Sequence, residues 1–240
     1  VFALAGGSAP KALYATGLAL NYRVNRDQTE LTDQVELVAS GTAVDWTAQS
    51  NASWLRITQA SGQAVPGQVA RIAISMAGSQ LREGSNKALI TIQSNADSGT
   101  LLVPVEVLVL QRGYPTLSVK PTGLAFVAPS LDERTVVFIA SKQGQIAVGS
   151  LQPWLAATAT SLGGIPTTQA TIYQLKVRVA ADKLQIGENR GTITIQDAAG
   201  SSVTISVLVY VPADQARAAG ASAKPLSLIH ISEPTRLRRI

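Results

Sequence analysis

The sequence contains no cysteine and a single histidine, His230, close to its C-terminus. The absence of cysteine excludes a disulfide framework, a thiolate nucleophile and a cysteine-ligated metal site. The body of the chain also lacks histidine, the commonest general base and transition-metal ligand. Carboxylates, lysine and tyrosine remain as the only side chains for enzyme chemistry, and we predict no catalytic residue, no metal site and no cofactor.

Charged residues are scarce, at 15% of 240 residues, although the net charge is +5. The remaining charges are scattered singly along alternating segments and do not form the basic cluster that a phosphate backbone requires. We therefore predict no nucleic-acid partner. Much of the positive excess lies in the C-terminal tail, at Lys224, Arg236, Arg238 and Arg239 against Glu233.

Long apolar runs are absent as well. The longest candidate, residues 101–110, is interrupted by Pro104 and Glu106, well short of the ~18 consecutive apolar residues of a bilayer span. The overall hydrophobic content of 46% is typical of a folded chain. The sequence therefore predicts a folded protein without membrane insertion.

An internal repeat is the most informative feature that is present. LREGSNKALITIQ at residues 81–93 recurs as LQIGENRGTITIQ at residues 184–196. Such self-similarity indicates two copies of one structural unit. Further matches join Trp54-Leu55 to Trp154-Leu155, Gly17-Leu18-Ala19 to Gly123-Leu124-Ala125, and residues 103–109 to residues 203–209.

Within each copy, the segments have the two-residue period of β-strands. In residues 174–179, Leu175, Val177 and Val179 alternate with polar and charged residues, which favours a half-buried strand. No amphipathic helix is evident. We predict an all-β chain of two tandem immunoglobulin-like antiparallel β-sandwiches. Turns are expected at Ser40-Gly41, Ser61-Gly62, Pro66-Gly67, Asp97-Ser98-Gly99, Gly163-Gly164 and Ala199-Gly200.

The repeat also predicts the domain boundaries. Residues 17–111 form the first sandwich and residues 116–212 the second, preceded by 1–16 as the end of an earlier repeat or a linker. Residues 213–240 are a linker and a non-native tail. The short connection from Gln111 to Pro115 predicts two sandwiches held end to end with restricted swing, as in a rod-like array.

Both ends of the chain carry signals of their own. Residues 1–4 align with residues 107–110, which indicates the last strand of an earlier copy; the other interpretation is the end of a signal peptide with an Ala-x-Ala cleavage site. Residues 227–236, SLIHISEPTR, resemble the translation of a sequencing adapter. In that case His230 and the basic tail have no biological role.

Acidic residues are candidates for a catalytic pair, because two carboxylates suffice for glycoside hydrolysis. Their positions favour solvent-exposed turns and strand faces, since none has an acidic counterpart in the other copy. Asp97 and Asp197 lack the spacing of a calcium loop. The acids considered as catalytic candidates are Asp45, Glu106, Asp132, Glu133, Asp182 and Glu188.

The tryptophans are the candidate ligand-binding residues, because sugar rings stack on aromatic faces. Trp46 alternates with Val44 and Ala48 and is expected in the core. Trp54 and Trp154 recur just after a turn in both copies, so they are either glycan-stacking platforms or, as we favour, shared packing residues. The tyrosines expected to be exposed, Tyr14, Tyr22 and Tyr114, are too dispersed to form a platform.

Each copy combines a Trp-Leu step, an alternating strand, a Gly-x-x-x-Ala/Gly-x-Ile-Thr-Ile segment and a closing Val-x-Val-x-Val strand. With these motifs, both copies resemble a BACON-like domain. The second copy departs from the pattern at Pro153 and at residues 160–163. In the first copy the resemblance is carried by residues 54–57, Ser61-Gly62, residues 89–92 and residues 103–105.

The resemblance implies an immunoglobulin-like sandwich of a bacterial surface or secreted protein, with carbohydrate or mucin as ligand. We therefore predict a non-catalytic extracellular module that acts as a spacer and as a carbohydrate-binding region of a larger chain. Its expected partners are polysaccharide or mucin glycans and the neighbouring domains of its own chain. The alternatives are a purely structural repeat in an adhesin-like array and a fragment of a carboxylate-based glycosidase.

Overall fold

The computed structural model describes residues 10–17, 19–26, 30–111, 117–140, 145–166 and 170–213. The described chain is built from β-strands and two single-turn 3-10 helices, Gly78–Gln80 and Ala181–Lys183. The predicted all-β class is therefore confirmed. No helix among the described residues has the length and apolarity of a membrane span.

Among its described residues, the N-terminal half has nine strands in two sheets. Sheet A has the order β1-β3-β7-β5 and sheet B the order β2-β9-β8-β4-β6. The ladders are antiparallel except for the parallel pair β2 and β9. The strands are β1 (Ala12–Ala15), β2 (Leu20–Asn25), β3 (Glu30–Ser40), β4 (Val44–Ser50), β5 (Leu55–Ile57), β6 (Ser61–Ala64), β7 (Val69–Ala77), β8 (Gly84–Ser94) and β9 (Leu101–Leu110).

The described part of the C-terminal half has eight strands with the same plan. Sheet C has the order β10-β12-β15-β14 and sheet D the order β11-β17-β16-β13. β11 pairs with β17 in parallel, as β2 does with β9. The strands are β10 (Leu117–Lys120), β11 (Gly123–Val127), β12 (Arg134–Ala140), β13 (Ala147–Ser150), β14 (Leu155–Gly164), β15 (Thr171–Val179), β16 (Gly187–Gln196) and β17 (Ser202–Val211).

Each half encloses its own hydrophobic core between its two sheets. The core of the N-terminal half includes Val35 and Ile72 from sheet A and Ile90 from sheet B. The core of the C-terminal half includes Leu175 from sheet C and Ile193 from sheet D. Alternating strands bury one face in this way because successive side chains point to opposite sides of a sheet.

The repeated Leu-x-x-Gly-x-Asn segment has a structural explanation in both halves. Gly84 and Gly187 both have φ of +89°, a conformation that favours glycine. Asn189, two residues later, stabilises the bend. Its Nδ2 donates to the carbonyl of Gln185 at 2.8 Å and its Oδ1 accepts from the amide of Gln185 at 2.9 Å. Asn86 makes the same pair of bonds to Arg82. The strongest sequence match therefore marks a turn that leads into β8 or β16.

Two of the predicted turns are wrong. Ser61-Gly62 begins β6, a strand that leaves sheet A after β5 and pairs with β4 in sheet B. Gly163-Gly164 lies inside β14, which pairs with β15 along its length. The register of this pairing shifts between Ser161 and Gly163. Gly62 allows close packing, and Gly163 lies at a β-bulge. In a sequence, a glycine with either role looks the same as a glycine in a turn.

The N-terminal boundary also differs from the prediction. β1 pairs with β3 in sheet A, with Leu13 opposite Ala39, so residues 12–15, assigned from sequence to the segment 1–16, belong to the first sandwich. Leu13 is only 1% exposed and lies in its core. The predicted earlier strand at residues 1–4, the link at residues 112–115, Tyr114 and the tail from residue 214, with His230, lie outside the described residues.

Candidate functional site

The two halves meet through sheet faces. In β3, Leu37 and Ala39 point into the core of the N-terminal half, yet Glu36, Val38 and Ser40 on the opposite face are also buried. Side chains on both faces of a strand can be buried only when a second layer covers the sheet. The covering layer is sheet D of the C-terminal half. The predicted end-to-end, rod-like arrangement is therefore wrong, and we refer to this face-to-face contact as the joint.

An apolar cluster forms the centre of the joint. Val38 and the partly buried Val69 of sheet A pack against buried residues from the outer face of sheet D. Tyr14 on β1 stacks on Tyr210, with ring centroids 5.4 Å apart, and burial raises the pKa of the Tyr14 phenol. The sheet D residues of the cluster are Ala125, Val127, Leu208 and Tyr210.

The Glu36 carboxylate lies beside this cluster and is completely buried, with a side-chain exposure of 0%. Its Oε2 accepts a hydrogen bond from the backbone amide of Ala125 at 2.6 Å, and its Oε1 accepts from Arg71 Nε at 3.2 Å and from Gln34 Nε2 at 3.1 Å. A buried carboxylate must be satisfied in this way, because an unpaired buried charge is strongly destabilising.

Arg134 of the C-terminal half completes the shell around Glu36. Its Nη1 and Nη2 donate to the two carboxylate oxygens at 2.8 and 2.9 Å, the two-pronged geometry that makes arginine–carboxylate pairs strong. Nη1 also donates to the carbonyl of Ala125 at 3.1 Å, and the guanidinium lies 5.8 Å from the centre of the Phe126 ring. Arg134, the first residue of β12, therefore connects its own strand to β11 and to the N-terminal half.

A second polar contact crosses the joint at Asp33. Its Oδ2 accepts hydrogen bonds from the hydroxyl of Thr122 at 2.6 Å, from the amide of Thr122 at 3.1 Å and from the phenol of Tyr22 at 2.7 Å. Burial and the nearby Asp33 charge raise the pKa of Tyr22 well above its ordinary value of 10.0. Partial burial lowers the pKa of Lys120, and Asp33 opposes this shift.

At a third place in the joint, the two halves approach each other closely at Gly123 and Thr16. A Cβ added to Gly123 would lie 2.7 Å from Oγ1 of Thr16, so only glycine allows the halves to come this near. Arg190 Nη1 also donates to the carbonyl of Ala15 at 3.0 Å. The contacts at Glu36, Asp33 and Thr16 involve different residues, which restricts rotation of one half against the other.

A groove of about 350 Å³ runs along one side of the joint. Its polar lining residues are Asn21, Arg23 and Glu106 of the N-terminal half and Ser202 and Thr204 of the C-terminal half; Tyr22, Leu108 and Val203 also line it. The polar residues offer both hydrogen-bond donors and acceptors. The lining as a whole therefore combines polar and apolar side chains.

The tryptophans occupy different environments. Trp154 is only 7% exposed and packs in the core of the C-terminal half, where a Cβ on Gly191 would lie 2.9 Å from its ring. A ring so covered leaves little surface for a sugar. Trp54 is only partly buried and packs against the other core. Trp46 is 3% exposed and points into the core, as predicted.

Four of the acids proposed from sequence, Asp45, Glu106, Glu133 and Glu188, are engaged in hydrogen bonds or ion pairs. No cluster of three metal-ligating side chains occurs among the described residues. Glu133 forms ion pairs with Arg178 and Lys176, and the hydrogen bond from Arg178 lowers its pKa. Asp97 is exposed. Asp197 is buried, with one oxygen accepting from the amides of Ala199 and Ser201, which is a turn-stabilising arrangement.

Sequence reasoning missed the residues of the joint. It expected Tyr22 to be exposed, whereas this residue is 6% exposed, and it passed over Glu36 and Arg134. A signal was present in residues 37–39, 124–128 and 207–211, which are continuous apolar runs without alternation. Strands of that kind are buried on both faces.

Comparison with known proteins places the family resemblance in the N-terminal half. Residues 21–108 match the family model of the viral BACON domain. This segment runs from β2 to β9 and therefore contains nearly all of sheet B and the core strands of sheet A. No curated protein matches the chain.

Three solved structures illustrate the structural matches. A protein of unknown function from Porphyromonas gingivalis W83 is 14% identical, with 82% of this chain and 99% of that chain covered and a TM-score of 0.33. The periplasmic chaperone SfaE is 13% identical, with coverages of 83% and 100% and a TM-score of 0.34. A Bacteroides ovatus GH5 xyloglucanase in complex with a XXXG heptasaccharide is 11% identical, with coverages of 50% and 23% and a TM-score of 0.33.

Proposed function

We propose that this chain is a non-catalytic spacer module made of two tandem copies of one BACON-like sandwich, fixed against each other in a defined orientation. The observation that carries the proposal is the buried Glu36 carboxylate, held from the other half by Arg134 and by the amide of Ala125. The charge-assisted hydrogen bonds between Arg134 and Glu36 form only when the halves are together, and they favour the joined arrangement. Such a module sets the distance and angle between its neighbours in a longer chain.

The same arrangement leaves neither Glu36 nor Asp33 free to act as a catalytic carboxylate. Glu36 is inaccessible to a substrate because its oxygens accept five hydrogen bonds and its side chain is 0% exposed. Asp33 is held by Thr122 and Tyr22. Glycoside hydrolysis needs two carboxylates that face a common cleft, and these two acids serve the joint instead.

Carbohydrate or mucin glycans are the ligand class that we propose for the module. The groove between Asn21, Arg23 and Glu106 on one half and Ser202 and Thr204 on the other supports this ligand class. Its polar groups match the alternating donors and acceptors of sugar hydroxyls. Trp54, which is only partly buried, is the remaining candidate for stacking. With the family match to a BACON domain, this points to an extracellular or cell-surface setting.

The spacer function is tested by measuring the distance between the halves in solution. The chain contains no cysteine, so spin labels can be attached only at introduced cysteines. Thr47→Cys and Thr194→Cys are exposed positions on opposite halves, and the distance between their labels reports on how the halves are held. A single narrow distance distribution is expected, which broadens when Arg134→Ala is added. A broad distribution in the otherwise unchanged chain would overturn the proposal. Glycan-array binding by the full chain, lost on Arg23→Ala, tests the ligand class separately.

A further inference from the structure

The outer face of sheet C carries large apolar side chains that nothing in the described chain covers. Val137 and Ile139 on β12 are 51% and 40% exposed. Ile172 and Gln174 lie opposite them on β15, paired with Ile139 and Val137 respectively. We call these four residues the open face. Two bulky aliphatic side chains exposed side by side on a strand are an unfavourable arrangement for a surface that remains in water.

The strand registers show which residues of the N-terminal half correspond to the open face. Ala39 lies opposite Leu13 in sheet A, and Ala140 lies opposite Leu117 in sheet C. Counting back along β3 and β12 from these alanines, Val38 corresponds to Ile139 and Glu36 to Val137. The cross-strand partners correspond too, because Val38 pairs with Val69 and Glu36 with Arg71.

The residues that correspond to the open face are therefore the residues of the joint. Val38, Val69 and Glu36 are covered by the outer face of sheet D of the following half. The open face is thus the same surface, one copy later along the chain, and none of the residues that the structure describes covers it.

We propose that the open face docks a further sandwich of the same kind, through that sandwich's counterpart of the β11–β17 outer face. This inference rests on the proposed function, because it treats the halves as copies of one repeating unit. The occupant is specified by the joint: a sheet face with apolar residues at the positions of Ala125, Val127, Leu208 and Tyr210.

The substitution of the charged pair defines the specificity of this second joint. Where the first joint has Glu36 and Arg71, the open face has Val137 and Gln174. A partner arginine at the position of Arg134 would find no carboxylate and would be left with an unpaired charge at the contact. The docking sandwich is therefore expected to carry an uncharged residue at that position, so the two joints select different partners.

A second copy of this whole chain is a poor occupant of the open face. Its C-terminal β11–β17 face is already used in the first joint. The corresponding face of its N-terminal half is polar, because the ladders align Asn21 and Arg23 with Ala125 and Val127, and Glu106 with Leu208. We therefore expect the full chain to be monomeric.

The test extends the full chain by inserting a second copy of residues 112–213 after residue 213, with Arg134→Leu in the inserted copy. Val137→Cys in the original half provides the probe, since the chain has no other cysteine. The maleimide labelling rate of this cysteine is expected to fall by about tenfold or more when the inserted copy docks. Ile186→Cys, at a position 57% exposed and outside the open face, should label equally fast with and without the insertion.

Two further variants make the outcome decisive. Leu208→Asp in the inserted copy should restore fast labelling at position 137, because it places a charge on the docking face. An unchanged labelling rate after insertion would overturn the proposal. So would concentration-dependent self-association of the full chain that Val137→Asp abolishes, since the occupant would then be a second copy.

Failure of this proposal can be distinguished from failure of the proposed function. Val38→Cys reports on the first joint, where Val38 is 0% exposed. If the extended chain is protected from labelling in its Val38→Cys variant but reacts rapidly in its Val137→Cys variant, only the open-face proposal fails. If the Val38→Cys variant also labels rapidly, the spacer function itself is wrong.

Discussion

The guanidinium of Arg134 and the carboxylate of Glu36 face each other across the joint through two hydrogen bonds of 2.8 and 2.9 Å. The side chain of Glu36 is 0% exposed and that of Arg134 is 26% exposed. The acid therefore bears most of the desolvation, whereas the arginine keeps partial contact with water in the joined state. We therefore expect the loss of Arg134 beside an intact Glu36 to cost more free energy of folding than the loss of Glu36 beside an intact Arg134.

Removing Arg134 alone should be strongly destabilising. Arg134→Ala leaves the buried Glu36 carboxylate with fewer donors, which costs about 3–5 kcal/mol in comparable buried pairs. The double variant Glu36→Val with Arg134→Leu should recover much of this loss, because the buried charge is gone and Val is the residue found at the corresponding position 137. Denaturant unfolding of the single and double variants measures the coupling, and additive losses would contradict the interpretation.

Tyr22 predicts a loss of stability at alkaline pH. Its pKa is raised in the folded protein, mainly by burial and then by Asp33, whereas an unfolded tyrosine ionises near pH 10. Above that pH the unfolded state loses the phenolic proton and the folded state keeps it, so the free energy of unfolding falls as pH rises. Below that pH the contribution is fully present.

Tyr22→Phe isolates this contribution. Near neutral pH the variant should be less stable by about 1–3 kcal/mol, because Asp33 loses one hydrogen bond. As the pH rises above about 10, the difference between the two proteins should shrink, since only the unchanged chain carries the titrating phenol. Unfolding curves at a series of pH values measure this difference, and one that stays constant through the alkaline range would refute the assignment.

The strands and cores could be predicted from sequence because each depends on local alternation. Leu175 and Val177 alternate with polar neighbours, and both are fully buried. The joint could not be read in the same way, because it depends on which outer faces meet after both sandwiches have formed. Glu36 looks like any solvent-facing residue of an amphipathic strand until Arg134, 98 residues later, is placed beside it.

The glycines show a related limit of sequence reasoning. Gly62 and Gly163 carry turn-like neighbours in sequence, yet both lie within strands. At Gly62 the reason is packing, because a Cβ there would lie 2.6 Å from the ring of Trp46. A glycine required by a distant tryptophan gives no local sign of that partner.

The pairing of Trp154 with Gly191 predicts a marked effect of a single methyl group. Gly191→Ala places a Cβ 2.9 Å from the indole, and overpacking of this kind costs about 1–3 kcal/mol. Gly149→Ala is the matched control, because it lies in the same sheet D with nothing within 4 Å of the added Cβ. Thermal melts should separate the two variants, and equal stability would show that the tryptophan moves aside freely.

The turn asparagines should matter in both halves. Asn86→Ala and Asn189→Ala each leave the amide and the carbonyl of the bend without their side-chain partner. Asn189 is 8% exposed and Asn86 is more accessible to water, so the loss should be larger for Asn189, at about 1–3 kcal/mol for an unsatisfied buried group. Chemical denaturation of the two variants checks the order, and a larger loss for Asn86→Ala would contradict it.

Replacement of Trp54 and Trp154 separates packing from glycan binding. Trp154→Ala should destabilise the protein by about 3–5 kcal/mol, because a buried aromatic ring is removed. Trp54→Ala should cost less, since this residue is only partly buried, and it is the variant in which any stacking contribution to glycan binding would be lost. Thermal melts and glycan-array binding are measured on both. If Trp154→Ala melts like the unchanged chain while glycan binding disappears, the packing role of Trp154 is wrong and the ring contacts sugar.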